Sequence, residues 1–136
     1  MKADILMEEK GRQYAQQILN DYFEDFCERQ VSVFCGACES GGIGLVLARY
    51  LSENKVPVVC YITPPPSGQY EDLVMRNLKR AFVCHTSVKE IENIDDLKAV
   101  AAKTYVAVDA LGTTAHPLAA AARAIIKDCA NIVSAG

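Results

Sequence analysis

The sequence lacks the segments by which a chain is secreted, inserted into a membrane or held on nucleic acid. Its start, Met1 to Asp4, is not followed by an apolar stretch, so it does not resemble a secretory signal. No window approaches the ~18 consecutive apolar residues that a membrane-spanning helix needs. Asp and Glu number 17 against 14 Lys and Arg, a balance that argues against strong DNA binding. We therefore expect a cytoplasmic protein that neither enters membranes nor binds DNA strongly.

Internal repeats and linkers are also missing, so the 136 residues predict one domain, 1–136. A helical segment, 4–29, comes first, and an α/β core, 31–136, follows. The acidic excess lies wholly in the first 30 residues, which hold four basic and seven acidic side chains. This acidic first helix is a candidate surface for a partner or for a second copy of the chain.

Hydrophobic periodicity predicts strands that alternate with helices. Short apolar runs rich in β-branched residues predict strands at 31–35, 56–62, 81–84, 105–108 and from 132 onward. Apolar residues three and four apart predict helices at 4–29, 45–52, 69–80, 91–102 and 117–127. Such alternation is typical of βαβ units. The fold class is therefore α/β, a three-layer α-β-α, Rossmann-like, doubly wound and mostly parallel sheet of about five strands.

Ligands of such sheets bind beyond the carboxyl ends of the strands, which selects the loops 36–44, 63–69, 84–88 and 109–116. The first of these loops is rich in glycine and lies between a strand and a helix. Its spacing is not the dinucleotide fingerprint, and it lacks the Lys-Ser/Thr pair of a Walker A loop. By local chemistry it either binds a phosphate at the helix N-terminus or is a tight turn that lets the helix pack.

The six cysteines are predicted to be free thiols, because a chain without a secretory signal is expected in a reducing compartment. Cys35, Cys60 and Cys84 lie in or beside apolar runs, where a free thiol behaves as a small buried hydrophobe. Two alternatives remain open. The spacing of Cys35 and Cys38 allows a redox pair, and the three strand cysteines with His85 allow a zinc cluster.

Asp109 is the sharpest single candidate. A carboxylate at the end of an otherwise apolar strand is costly unless it has a function, which favours cation binding or general acid–base chemistry. The alternative is that Asp109 caps the following turn. His116 is either a proton carrier or a solvated cap, and the pattern holds no defensible Ser/His/Asp arrangement.

Four segments, in order along nearly the whole chain, resemble the N-terminal domain of the YjeF family. Residues 6–12 resemble its opening helix, L-M-E-x-A-G-R, and residues 36–51 resemble G-x-G-N-N-G-G-D-G-x-V-x-A-R-x-L. Residues 108–113 resemble V-D-A-L-F-G-T, and residues 132–136 resemble the end of V-x-D-I-P-S-G. Domains of this family usually continue further, so the resemblance implies a chain that is truncated or reduced at its C-terminus.

The resemblance implies an NAD(P)HX epimerase fold, a potassium ion and a homodimer. The epimerases of the family interconvert the R and S forms of hydrated NADH or NADPH. Carried over, Asp109 would be the catalytic carboxylate or a cation partner, and Ser134 and Ser40 would be cation ligands. The cofactor-binding residues would be Gly36, Glu39, Ser40, Gly41, Gly42, Gly44, Thr63, Gly112 and Thr113.

Departures from the family pattern concern the site more than the fold. Glu39 and Ser40 stand where the family has two asparagines, Ile43 replaces its aspartate, and Thr63 replaces an expected lysine. Glu39 brings negative charge to the place where a pyrophosphate would approach. These losses favour the branch of the family found in enhancers of mRNA decapping, a nucleotide-like-ligand-binding or dimerising scaffold with protein partners of RNA decay. The alternative is a working NAD(P)HX epimerase with NAD(P)HX as its substrate.

Overall fold

The computed structural model describes residues 2–22, 29–65, 67–112 and 116–135. The helices are α1 (Lys2–Tyr22), α2 (Glu39–Glu53), α3 (Asp72–Val83), α4 (Asp95–Lys98), α5 (Val100–Lys103) and α6 (Pro117–Lys127). The strands are β1 (Gln30–Cys35), β2 (Val58–Ile62), β3 (Ser87–Glu90), β4 (Thr104–Ala110) and β5 (Asn131–Ser134). No helix within the described ranges has the length and apolar character to cross a membrane.

The five strands form one parallel sheet in the order β3-β2-β1-β4-β5. The first strand, β1, lies in the middle of the sheet. β2 and β3 follow on one side of it, and β4 and β5 lie on the other side. Apolar residues of α1, α2 and α3 pack on one face, and those of α4, α5 and α6 pack on the other. The predicted three-layer, Rossmann-like α/β fold is confirmed.

The central strand shows why both faces are covered. Val31, Val33 and Cys35 point toward α1 and α2, and Phe34 points toward the opposite layer, because successive side chains of a strand alternate. Ser32 is the buried polar exception on β1, and its hydroxyl lies 2.6 Å from that of Thr104. That contact satisfies both hydroxyls inside the core.

Helix α2 begins at Glu39, whereas the sequence predicts a loop to residue 44 and a helix from residue 45. Glycine is a poor helix former, so the three glycines of this stretch misled the prediction. The structure gives them packing contacts. A Cβ on Gly44 would lie 2.8 Å from Ala110 Cβ and from Cys35 Sγ, and one on Gly42 would lie 2.6 Å from Met7 Sδ. Close approach of α2 to the sheet and to α1 therefore requires glycine at both positions.

The predicted third strand, 81–84, is wrong. Residues 81–83 end helix α3, a turn follows at 84–85, and the strand is β3 at 87–90. Ala81 is buried on the same helix face as Val74, whereas Phe82 and Val83 are 80% and 74% exposed. The apolar run therefore belongs to the exposed end of a helix.

This shift moves the predicted ligand loop 84–88 to the amino end of β3. The residues beyond the carboxyl end of β3 begin instead at Ile91, whose N–H donates to the carbonyl of Ile62 at 2.8 Å. The predicted helix 91–102 is two short helices, α4 and α5. Strand β4 also extends beyond the predicted 105–108, so that Asp109 lies within it.

Candidate functional site

The carboxyl ends of β1 and β4 lie side by side at the point where the strand order reverses. Ligands of doubly wound sheets bind at such a reversal. The Gly36 N–H donates to the Ala110 carbonyl at 3.0 Å, which joins the two strand ends. The Cys38 thiol donates to the Leu111 carbonyl at 3.5 Å. We call this region, bounded by residues 36–40 and 109–112, the β1–β4 crevice, after the place where sheets of this kind bind ligands.

Gly112 holds the β4 side of the crevice against the start of α2. Its φ of +59° lies in the left-handed region, and a Cβ here would lie 2.7 Å from Ser40 Oγ. Only glycine meets both demands without strain. The Arg123 guanidinium donates to the Gly112 carbonyl, so α6 also anchors this turn. Gly112 and Ser40, two predicted ligand residues, are thereby brought into contact.

Asp109 lies in β4 and is half-buried at the sheet edge. Its Oδ1 accepts a hydrogen bond from the Leu111 N–H at 3.1 Å, and its carbonyl accepts one from the Ala135 N–H at 2.9 Å. The carboxylate therefore caps the following turn and also lies where ligands of this fold bind. Backbone contacts to Leu111 and Ala135 fix the residue in place.

The start of α2 supplies the other side of the crevice. Glu39 is exposed and Ser40 is half-buried in the first helical turn. The N–H groups of a helix start attract anions, but the Glu39 carboxylate already contributes negative charge there. Gly36 and Gly41 are buried and close together, because a Cβ on Gly41 would lie 1.7 Å from the Gly36 oxygen. Anion binding at this helix start therefore depends on backbone N–H groups.

Among the remaining predicted ligand residues, Gly42, Gly44 and Thr63 are buried in contacts within the protein. Gly42 and Gly44 face α1 and the sheet, as described above. Thr63 follows β2 and is buried; its N–H donates to the Cys35 carbonyl at 2.9 Å, and its hydroxyl donates to the same oxygen at 3.4 Å. Thr113 lies outside the described residues.

The predicted cation ligands lie at the carboxyl ends of the strands but on opposite faces of the sheet. Asp109 and Ser134 are register partners on β4 and β5, so their side chains share one face. Ser40 approaches from α2, on the opposite face. A carboxylate and a hydroxyl are oxygen donors of the kind that a hard cation takes, and Asp109 and Ser134 place one of each on this face. Among the described residues there is no group of three His, Cys, Asp or Glu side chains able to hold a metal.

The cysteine alternatives find no support in the geometry. Cys35 is buried, and a hydrogen bond with Cys60 together with burial raises the pKa of its thiol well above the usual value. A redox thiol needs the opposite shift. Cys84 lies at the end of α3, away from the strand ends, and Cys35, Cys60, Cys84 and Cys129 are free thiols. His116 caps α6, because its Nδ1 accepts from the Leu118 N–H at 3.1 Å.

Sequence reasoning missed an ion-pair network that joins the first three helices. Glu8 binds Arg49 and accepts a 2.6 Å hydrogen bond from the Tyr50 hydroxyl. Asp4 binds Arg76 and Arg80, both at 3.0 Å. The signal was present in the motifs, because Glu8 and Arg49 belong to two of the four segments that resemble the family. Part of the acidic face of α1, predicted to be a partner surface, is therefore occupied by contacts within the molecule.

Comparison with known proteins assigns the family. The family model described as "YjeF-related protein N-terminus" matches residues 3–135. Over 109 residues the chain is 50% identical to an NAD(P)H-hydrate epimerase of Elusimicrobium minutum, covering 79% of this chain and 49% of that protein. Over 108 residues it is 30% identical to a bifunctional NAD(P)H-hydrate repair enzyme of Methanopyrus kandleri, covering 79% and 21%.

A solved structure agrees with this assignment at the level of the fold. The crystal structure of the yeast protein YNL200c matches with a TM-score of 0.80 at 20% identity, over 98% of this chain and 60% of that one. The chain spans about half the length of the Elusimicrobium relative and about a fifth of the Methanopyrus relative. With a family model that covers nearly every residue, the chain belongs to the family of YjeF-related protein N-termini.

Proposed function

We propose that the chain forms the β1–β4 crevice of an NAD(P)H-hydrate epimerase, which interconverts the R and S forms of hydrated NADH or NADPH. One observation carries the proposal. In a chain 50% identical to a protein named NAD(P)H-hydrate epimerase, a carboxylate, Asp109, lies at the carboxyl end of β4, at the point where the strand order reverses. From the sequence alone this function is the alternative, and a scaffold is favoured.

The chemistry asks for a positioned proton carrier. Epimerising a hydrate inverts the carbon that bears the added hydroxyl. A carboxyl group can give a proton to the departing oxygen and take one from the water that returns on the other face. Asp109 suits this role because backbone contacts hold it at the crevice. The N–H groups at the start of α2 would receive the diphosphate of the dinucleotide.

The departures from the family pattern weigh less once the residues are located. Ile43, in place of an aspartate, is 1% exposed and packs in the core, so its side chain contributes to folding. Thr63, in place of a lysine, is buried against β1. Glu39 is the departure that bears on a ligand, because its exposed carboxylate would repel a nearby phosphate. The relatives reported above are named for hydrate repair and do not support a scaffold in mRNA decapping.

Three further properties belong to this proposal. A potassium ion would bind the oxygens of Asp109 and Ser134 and supply positive charge beside the substrate. The chain would form a homodimer, and it would act in the cytoplasm. Light scattering across a hundredfold range of concentration tests the dimer, and replacing potassium with tetramethylammonium in an activity assay tests the ion.

A coupled assay tests the epimerase. The R epimer of hydrated NADH is mixed with this protein and with a dehydratase specific for the S epimer, and NADH formation is followed by absorbance. We expect stimulation that Asp109→Asn reduces about a hundredfold or more. Asp128→Asn, which removes an exposed carboxylate beyond α6, is the matched control and should leave the rate unchanged. An unstimulated reaction with a correctly folded dimer would instead favour a scaffold.

A further inference from the structure

A cavity of about 600 Å³ lies between α3 and the edge strand β3. Small-molecule sites typically have volumes of about 300–1,000 Å³. The walls are largely apolar, with Leu78 and Phe82 from α3 and Val88 from β3. The Phe82 side chain is 80% exposed, so its ring is available to a ligand. We call this space the α3–β3 cavity; it shares no described lining residue with the β1–β4 crevice.

One end of the α3–β3 cavity is negatively charged. Glu90 Oε2 accepts a 2.8 Å hydrogen bond from the Tyr70 hydroxyl. Burial and the nearby Glu90 carboxylate raise the pKa of Tyr70, so the phenol stays protonated and keeps donating. With histidine counted as neutral, Glu90 holds the one formal charge among the described residues that line the cavity. A ligand would therefore meet a carboxylate, two aromatic rings and an apolar wall.

The cavity wall also contains a hydroxyl without a partner. Thr86 is 6% exposed, and its N–H donates to the Ala81 carbonyl at 2.9 Å, which fixes it at the turn before β3. Its Oγ1 has no hydrogen-bond partner among the described residues. Buried polar atoms in folded proteins nearly always have one. An N–H donor on a ligand in the cavity would be a partner of the kind that this hydroxyl lacks.

We propose that the α3–β3 cavity binds a small organic cation, an ammonium group carried on an aromatic or branched aliphatic body. The Glu90 carboxylate attracts the ammonium, and the faces of Tyr70 and Phe82 attract it through their quadrupoles. The apolar wall receives the body. An anionic ligand such as a nucleotide would meet the Glu90 carboxylate, and no lysine or arginine among the described lining residues offsets it; His85 is the one basic side chain there and is counted as neutral.

Three probes of similar size and different charge test the proposal by isothermal titration: phenethylammonium, phenethyl alcohol and 3-phenylpropionate. We expect the cation to bind about threefold to thirtyfold more tightly than the alcohol, and the anion to show no binding. Glu90→Gln should reduce the affinity for the cation to that for the alcohol. Glu92→Gln removes an exposed carboxylate that does not line the cavity, and it should change neither affinity.

Amide chemical shifts locate the binding site. Shifts induced by phenethylammonium should concentrate at residues 78–90, and urea unfolding of Glu90→Gln confirms that the variant folds. Equal affinity for the cation and the alcohol, an unchanged affinity in Glu90→Gln, or shifts confined to other elements would overturn the proposal. Tighter binding of a lysine-containing peptide than of phenethylammonium would also contradict it, because a protein partner would then be the occupant. None of these outcomes depends on epimerase activity.

Discussion

At the scale of single residues, the sequence predicted where Asp109 lies in the fold but did not predict how the glycines pack. Asp109 was identified because a carboxylate at the end of an apolar strand is costly, and the structure places it at the sheet edge. For the glycines of α2 the sequence leaves open both a phosphate loop and a turn that lets the helix pack, because it does not show what lies against them. Glycine is required here because a Cβ would collide with Met7, Cys35 or Ala110, and these residues come from distant parts of the chain.

The packing role of these glycines predicts an order of stability. Gly44→Ala should lower the free energy of unfolding by about 1–3 kcal/mol, because its methyl group would meet the fixed Ala110 and Cys35 side chains. Gly42→Ala should cost less, because the end of the flexible Met7 side chain can move. Urea unfolding of both variants checks this. Stabilisation by Gly44→Ala, the result that helix propensity alone predicts, would contradict it.

At the scale of elements, the sequence predicted most strands and helices but misplaced several boundaries, and the largest error lies between α3 and β3. The run Ala81 to Cys84 has the composition of a strand, and only tertiary contacts show that its first three residues continue α3. Ala81 extends the buried stripe of the helix, whereas Phe82 faces outward. Local composition cannot distinguish an exposed aromatic residue at a helix end from a buried one in a strand.

The boundary between α3 and β3 gives a direct prediction. Phe82→Ala should change the free energy of unfolding by no more than about 0.5 kcal/mol, because the side chain is largely exposed. A phenylalanine buried in a central strand would cost about 3–5 kcal/mol when truncated. Thermal or urea unfolding separates the two. A loss in the larger range would mean that residues 81–84 are buried as a strand.

The contacts between α1 and its neighbours predict a dependence of stability on pH. Hydrogen bonds from Arg80 and Arg76 lower the pKa of Asp4. Burial raises the pKa of Glu8, but hydrogen bonds from Tyr50 and Arg49 outweigh it and lower the pKa overall. Folded values below the unfolded ones mean that this stabilisation is complete above about pH 4.5 and is lost as the pH falls through the lowered values.

The double variant Asp4→Asn, Glu8→Gln tests that dependence. At pH 7 its free energy of unfolding should be about 1 kcal/mol lower than that of the wild type. Its stability should also fall less steeply than that of the wild type between about pH 5 and pH 3. Asp21→Asn, which removes an exposed carboxylate from the same helix, is the control and should follow the wild type. If the stability of the double variant fell with pH as steeply as that of the wild type, the contacts of Asp4 and Glu8 would not be the source of the pH dependence.

At the scale of the whole molecule, the doubly wound sheet followed from the alternation of strands and helices, and the sheet order then located the crevice. The order β3-β2-β1-β4-β5 places the only reversal among the described strands between β1 and β4. This brings together Gly36, Ser40, Asp109 and Gly112, four of the residues predicted for the site. The α3–β3 cavity could not be predicted, because it depends on where α3 ends and on the exposed ring of Phe82.

The interconversion of purified epimers tests the central claim most directly. The R epimer and the S epimer of hydrated NADH are incubated separately with the protein in potassium buffer, and chromatography follows their ratio. If Asp109 and the β1–β4 crevice form an epimerase site, both reactions should reach the same ratio much faster than without protein, and Asp109→Asn should slow them about a hundredfold or more. Interconversion at the uncatalysed rate, or an equal rate in a folded Asp109→Asn variant, would contradict the claim.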